Sequence, residues 1–156
     1  MASSMTKVPP GTGKKRFVML ALAFLVLTVA GTMGASYLYS TRTPQISVGD
    51  QSLSGTKVMV SEAVIPMDGF IVIHPVDDKG AAVLSDSLGV APIKAGTSVQ
   101  VPVDLTTAVK LPLKVAAVLH ADTGMKGKYE YAAASTDKDG PVLNSGRTVT
   151  ATFTIR

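Results

Sequence analysis

The sequence predicts an all-β domain, a sandwich of seven or eight antiparallel strands, which one transmembrane helix precedes. Beyond residue 45, Val, Ile and Thr dominate, and Gly, Pro, Asp or Asn interrupts the apolar runs about every 8–12 residues, the spacing of short strands in sandwiches and barrels. No stretch there keeps a helical period of apolar residues for three turns, so antiparallel strands without crossover helices are expected. Residues 17–39, by contrast, form one uninterrupted apolar run.

That run reads FVMLALAFLVLTVAGTMGASYLY and contains neither a charged residue nor a proline. At about 1.5 Å per residue, a helix of residues 17–39 would cross a hydrocarbon core of about 30 Å. Four basic residues precede the run and only Arg42 lies close behind it, so the positive-inside rule predicts a cytoplasmic N-terminus and an extracytoplasmic C-terminal domain. The alternative is a signal peptide cleaved near Ala30, which would make the protein secreted. Both interpretations export the same domain.

The net charge of +4 belongs to the N-terminal tail, residues 1–16. The tail contains four of the 15 basic residues and no acid, and the other 11 basic residues equal the 11 acids in number. A balanced domain has no basic face for phosphates, so no nucleic acid is expected as a partner. The tail sequence PGTGK at 10–14 lacks the first Gly and the final Ser/Thr of a phosphate-binding loop, so no nucleotide is expected either. Residues 40–45 predict a polar linker, and residues 46–156 predict the β-sandwich domain.

Eight strands are predicted within residues 46–156 from the alternation of apolar residues and from the turn residues between them. They comprise residues 46–51, 57–65, 70–76, 82–84, 98–105, 113–121, 128–132 and 148–155. In the fifth of these, the alternate residues from Val99 to Leu105 are expected to share one face of the sheet. Pro102 predicts that this strand lies at an edge or contains a bulge, because proline has no N–H for a central ladder.

Three groups of residues resemble the motifs of a known family. GFIVIH at 69–74 is similar to G-F-V-V-I-H, LHADTG at 119–124 with GKYEY at 127–131 is similar to L-H-x-D-x-G…G-x-Y-E-F, and DGPV at 139–142 is similar to D-x-P-V. Together they resemble an Ig-like domain of unknown function that is common on haloarchaeal surface proteins and on secreted or anchored bacterial proteins. The resemblance implies an immunoglobulin-like sandwich at a prokaryotic cell surface. It implies no activity, because the family has no settled one.

His74 and His120 are the only histidines of the chain, and each lies near the C-terminal end of a predicted apolar strand. If the two strands are neighbours, two imidazoles and a carboxylate such as Asp122 can bind copper or zinc. The simpler alternative is that each histidine hydrogen-bonds the backbone or an acid, because strong sites usually have three or four protein ligands and the chain has no cysteine. The polar loop at 135–141 predicts a solvated turn.

No nucleophile elbow, paired-carboxylate signature or metalloprotease helix is present in the sequence, so no enzymatic activity is predicted. The predicted function is that of a non-enzymatic extracytoplasmic β-sandwich module on a single-span membrane anchor. Such a module would bind or support other envelope proteins or copies of itself. The alternative prediction is a copper or zinc binding module that uses His74 and His120.

Overall fold

The computed structural model describes residues 43–134 and 137–156. The predicted tail at 1–16 and the predicted transmembrane segment at 17–39 lie outside these residues. Within the two described ranges the chain forms strands, turns and loops, and none of it is a helix with the length and hydropathy needed to cross a membrane. The all-β prediction is confirmed for this part of the chain.

The described residues form nine strands, seven of which make two main sheets. The strands are β1 (Gln45–Ser47), β2 (Lys57–Ile65), β3 (Gly69–Pro75), β4 (Gly89–Ile93), β5 (Gly96–Asp104), β6 (Leu113–Ala121), β7 (Leu143–Asn144), β8 (Arg147–Thr148) and β9 (Thr150–Ile155). One sheet has the order β1-β2-β5, the other has the order β4-β3-β6-β9, and β7 and β8 form a short hairpin. All these pairs are antiparallel, as predicted. The two main sheets together have seven strands, which agrees with the predicted number of seven or eight, and the hairpin adds two short strands.

The predicted strand limits are most accurate in the middle of the sheets. β2 and β6 have the predicted limits, and β3 and β9 begin and end within two residues of them. Two predicted strands are wrong, because residues 128–132 form no strand and residues 82–84 contribute only an isolated bridge through Ala82. β4 was not predicted, because Gly89 and Pro92 interrupt its short apolar pattern. Its edge position explains why a proline is tolerated there.

The hydrophobic core lies between the two main sheets. Because alternate strand residues face the same side, each central strand contributes every second residue to it. The core residues with less than 3% exposure are Val58, Val60, Ala63 and Ile65 of β2, Ile71 and Ile73 of β3, Val103 of β5, Val115, Ala117 and Leu119 of β6, and Phe153 and Ile155 of β9. The side of the four-stranded sheet that carries them is called the inner face below.

The alternation of β5 breaks at Gln100, whose φ of 51° is left-handed. Val103, beyond this point, is buried as expected, but Val99 is 65% exposed. The left-handed residue rotates the strand, so that residues on its two sides alternate out of phase. The paired strand β2 changes phase at the same level, since Val60 and then Ala63 face the core. The prediction of one continuous apolar face is therefore wrong for Val99. The predicted edge position of the strand is confirmed.

The outer face of the two central strands of this sheet, β3 and β6, is buried as well, because loops cover it. Every residue of β3 from Gly69 to His74 is buried, so both faces of this strand are withdrawn from solvent. Residues 122–134 and 137–142, called the covering segment below, cover one part of the outer face, where the ring of Tyr129 lies 5.5 Å from that of Phe70. The loop at 76–88 covers another part and contacts His74 through a backbone carbonyl.

Gly69 begins β3 at a point where the strand approaches β6 closely. A Cβ atom at this position would collide with the carbonyl oxygen of His120 and with the side chain of Ile65. The collision with backbone cannot be relieved by a side-chain rotation, so the strand pairing requires glycine here. This requirement explains the first residue of the GFIVIH motif.

Candidate functional site: a buried histidine pair

His74 and His120 lie on the outer face of neighbouring strands, β3 and β6, as the metal prediction required. The register pairs His74 with Ala116 and His120 with Phe70, so the histidines are four positions apart along the ladder. Their side chains extend toward each other along the sheet, over the residue pair midway between them. The small side chain of Ala116 opposite His74 leaves room for an imidazole that lies along the sheet.

The two imidazoles meet through their Nε2 atoms, which are 3.3 Å apart. The ring centroids are 5.4 Å apart, so the rings meet edge to edge and do not stack. The Nδ1 atom of His74 lies 2.6 Å from the carbonyl oxygen of Asp86, and Nδ1 of His120 lies 2.7 Å from that of Asp139. A carbonyl oxygen only accepts, so each Nδ1 donates and carries the hydrogen. Each neutral ring therefore presents an Nε2 lone pair to the other ring.

Burial controls the charge of this pair. Neither His74 nor His120 has any exposed surface. Desolvation lowers the pKa of both imidazoles from the ordinary value of 6.5, and the hydrogen bonds to backbone carbonyls oppose this only in part. The pKa of His120 falls to about 4. The neutral imidazole is thus the favoured form near pH 7, and it is the form that binds metals.

Two tyrosines enclose His120 beneath the covering segment. The ring centroids of Tyr129 and Tyr131 lie 5.3 and 5.1 Å from that of His120, and both contacts are edge-to-face. The Tyr129 hydroxyl lies 3.5 Å from Nδ1 of His120, on the side of the ring away from Nε2. Burial raises the pKa of Tyr129 well above its ordinary value, so its hydroxyl stays protonated. The tyrosines therefore shield the pair from water without adding a charge to it.

Asp139 is buried and holds the covering segment in place over the sheet. Its Oδ1 accepts hydrogen bonds from the backbone N–H groups of Thr123 and Gly124, and its Oδ2 accepts one from Glu130, at 2.6–3.0 Å. Its backbone N–H donates to the Thr123 hydroxyl, and its carbonyl accepts from His120. The prediction of a solvated turn is wrong at this residue. The buried carboxylate accepts hydrogen bonds from three N–H groups that would otherwise lack a partner.

Asp122, the third predicted metal ligand, lies just beyond β6. Its Oδ2 accepts a hydrogen bond from the N–H of Gly127, and its Oδ1 is buried with no hydrogen-bond partner among the described residues. Within 43–134 and 137–156, no group of three His, Cys, Asp or Glu side chains is placed to hold a metal ion. The structure therefore brings the two predicted imidazoles together without adding this carboxylate to them, and the three-ligand site stays a prediction.

Glu130 links different parts of the covering segment to one another. Its Oε2 accepts a hydrogen bond of 2.7 Å from the N–H of Met125, and its Oε1 lies 3.6 Å from the ammonium of Lys128 and 3.8 Å from that of Lys138. The pKa of Glu130 is lowered, first by the Met125 hydrogen bond and then by the lysines. This part of the loop is therefore stabilised by an ionised carboxylate.

Several residues of the site carried no sequence signal or a misleading one. Asp86 and Asp139 hold the imidazoles through backbone carbonyls, which every residue type possesses. Tyr129 and Tyr131 alternate in a pattern that predicted a strand, although they belong to a loop that packs on His120. The alternation itself was the usable signal, because it places both rings on one side of the chain.

The fold and the site define a class: an all-β domain of two antiparallel sheets, with a histidine pair sealed beneath the loops of one sheet. The chain belongs to the family described as Domain of unknown function (DUF7282), whose model matches residues 44–156. Cell surface glycoprotein 2 of Haloarcula hispanica is 29% identical over 108 residues. These residues are 69% of this chain and 11% of that glycoprotein, so the chain spans a small part of the relative. The resemblance to a domain of haloarchaeal surface proteins is confirmed. No solved structure matches the chain.

Proposed function

We propose that this protein is a non-enzymatic extracytoplasmic β-sandwich module that acts as a surface or envelope binding or structural protein. The observation that carries the proposal is the extent of the family match, since residues 44–156 take in nearly the whole described domain. The similar protein of Haloarcula hispanica is named a cell surface glycoprotein, and the shared region is a domain-sized part of it. Both observations favour a domain that serves at a cell surface.

An immunoglobulin-like topology is part of this proposal. β2 and β5 are neighbours in one sheet, while β3, β6 and β9 belong to the other. Immunoglobulin-like sandwiches divide their strands in this way, with B and E in one sheet and C, F and G in the second. In this comparison β1 corresponds to A, and β4 corresponds to the C′ strand beside C.

A single-span anchor at residues 17–39 is the proposed attachment, with the N-terminus in the cytoplasm. The apolar length of the segment and the basic residues before it support this arrangement. Cleavage near Ala30 would instead release the same domain from the membrane. The proposed partners are the membrane itself and other envelope proteins or further copies of the chain. The edge strands and the exposed threonines of β9 would supply the contacts.

The hydrogen bonding of the site supports a non-enzymatic role. Among the described residues the buried polar or charged side chains are His74, His120 and Asp139. Each ring nitrogen faces a carbonyl or the other ring, and both carboxylate oxygens accept backbone N–H groups. A general base must reach the proton that it removes, and these groups are shielded from solvent.

The test is protease digestion of intact cells that express the chain with a C-terminal epitope tag. The tag should be digested without lysis, and the protein should sediment with membranes and retain its N-terminal tail in mass spectrometry. A tag that is digested only after lysis would contradict the extracytoplasmic location. A mature N-terminus near residue 31 would show that the apolar segment is a cleaved signal peptide and that the protein is secreted, not anchored. Affinity capture from membranes tests the binding role, and recovery of a lone monomer would count against it.

Metal binding by His74 and His120 is a second candidate function. The observation that favours it is the 3.3 Å separation of the two Nε2 atoms, which is short enough for one ion to contact both. Calorimetric titration of the metal-free protein with copper(II) and zinc(II), beside a variant carrying His74→Ala and His120→Ala, tests for any site at the pair. Identical heats from the two proteins would end this candidate.

A further inference from the structure

The hydrogen bonds of the histidine pair determine which ring nitrogens carry a hydrogen. Both Nδ1 atoms donate to backbone carbonyls, so in the neutral pair both Nε2 atoms carry a lone pair and neither has a hydrogen to share. Two lone pairs that face each other at 3.3 Å in a buried site repel. The arrangement becomes favourable when an electropositive centre lies between the nitrogens.

We infer that His74 and His120 form a two-coordinate site for one monovalent soft metal ion, copper(I), bound between their Nε2 atoms. The inference rests on the metal-binding candidate and specifies its ion and its ligands. It is independent of the proposed surface location. The predicted third ligand, Asp122, is not part of this site.

The number of ligands is the first reason for this choice of ion. Zinc(II) and copper(II) sites in proteins usually have three or four protein ligands. The described residues offer two imidazoles and no third His, Cys, Asp or Glu in the group. The hydroxyl of Tyr129 faces Nδ1 of His120, which is the wrong side of the ring. Copper(I) is a d¹⁰ ion that accepts two nitrogen ligands in a linear arrangement, so the pair alone can satisfy it.

Charge is the second reason. A divalent ion held by two neutral imidazoles would bury two positive charges, and unpaired buried charge is costly. The fold places one buried carboxylate beside the pair, that of Asp139, whose carbonyl also accepts the hydrogen bond from His120. One monovalent cation and one carboxylate leave the buried site neutral overall. The carboxylate of Asp86 also acts on His74, but Asp86 is exposed and solvent screens its charge, and the described residues contain no second buried carboxylate.

Distance sets the structural change that binding requires. Metal–imidazole bonds are about 2 Å long. An ion that is coordinated linearly by two nitrogens therefore needs them about 4 Å apart. The present separation is 3.3 Å, so the rings must move apart by a fraction of an ångström. Each ring is fastened to a loop through its carbonyl partner, at Asp86 or Asp139, and these loops would move with the rings.

The experiment is a copper(I) titration of the full chain in detergent, without oxygen and with ¹⁵N-labelled histidine. Because the chain has only two histidines, the label reports on this pair alone. We expect one copper(I) per chain in competition with a chromophoric copper(I) chelator, and a large shift of both Nε2 resonances with little change at Nδ1. X-ray absorption should show two nitrogen neighbours.

Matched variants and ions separate the possible results. The substitution H74Q should abolish the stoichiometric site, while D122N should leave the Nε2 shifts in place. Loss of the shifts in D122N would overturn the two-ligand assignment. Copper(I) that binds while the Nε2 resonances stay unchanged would indicate exposed thioethers such as Met125, and would also overturn it.

Zinc(II) is the control for the ion. Zinc(II) that shifts the Nε2 resonances as strongly as copper(I) would overturn the choice of copper(I) while the metal-binding candidate stands. No shift with either ion would end both the inference and that candidate. The cell-surface digestion reports on the location of the domain, so none of these results affects the proposed surface role.

Discussion

The two faces of the central strands β3 and β6 are buried in different ways. The inner face packs apolar side chains such as Ile73 and Leu119 against the three-stranded sheet. The outer face of the same strands carries His74 and His120, and loops cover it. Apolar packing needs complementary shape, whereas each buried polar atom also needs a partner. The comparison teaches that loops can bury the central strands of a sheet as completely as a second sheet does, provided that the loop backbone supplies those partners.

Truncation of the inner face should have the largest effect on stability. Leu119→Ala is expected to lower the free energy of unfolding by about 2–5 kcal/mol, because the fully buried side chain leaves a cavity in the core. Denaturant unfolding of the full chain measures this loss. The control is Leu143→Ala at a 56% exposed position, where a change within about 0.5 kcal/mol is expected. Equal losses in the two variants would contradict the location of Leu119 in the core.

A change beneath the outer face should loosen the covering segment selectively. Asp139→Asn is expected to lower the free energy of unfolding by about 1–3 kcal/mol. The reason is that the amide places an N–H group where the carboxylate oxygen accepted a hydrogen bond. Hydrogen exchange should become faster at the backbone amides of Thr123, Gly124 and Glu130, because these amides donate to the carboxylate of Asp139 in the native protein. The amide of Ile71 on β3 serves as the internal control and should keep its protection. Unchanged exchange at the three loop amides would show that the carboxylate does not hold the segment.

The ion pairs of the covering segment predict a dependence on pH that the inner face lacks. Because the pKa of Glu130 is lowered from 4.5 in the folded state, its contribution is fully present above about pH 4.5 and is lost as the pH falls through the lowered folded value. Glu130→Gln keeps an oxygen for the Met125 N–H but cannot titrate, so its stability should fall less steeply over that acidic range. Unfolding curves of the two proteins measured from pH 6 to pH 3 compare the slopes. Parallel slopes would remove Glu130 from the acid response.

The smallest effect is expected outside both buried faces. Val99→Thr should change the free energy of unfolding by no more than about 0.5 kcal/mol, because Val99 is 65% exposed. Val103→Thr in the same strand is the matched control, and it should cost about 1–3 kcal/mol because it buries a hydroxyl. Denaturant unfolding of both variants tests the phase change at Gln100. A larger cost at Val99 than at Val103 would restore the single apolar face that strict alternation predicts.

Sequence patterns predicted the central strands well and the edges poorly. β2 and β6 are nine-residue stretches of mostly apolar residues bounded by turn residues, so their limits were predicted correctly. β4 has five residues with a glycine and a proline, and its strand conformation depends on pairing with β3. Residues 128–132 show strand-like alternation, but their partners are Asp139 and the outer face. Local alternation cannot distinguish an apolar surface that pairs in a sheet from one that packs as a loop.

By itself the sequence determined the all-β class, the antiparallel central strands and membership of a surface-associated family, because these depend on local patterns and motifs. It also identified His74 and His120 as candidate ligands. Tertiary structure alone decided that they meet. The C-terminal ends of two neighbouring antiparallel strands lie at opposite ends of their ladder. Two histidines near those ends are therefore separated along the strands. The register, the direction of both side chains and two loop carbonyls bring the Nε2 atoms to 3.3 Å, and each of these depends on contacts between residues distant in the chain.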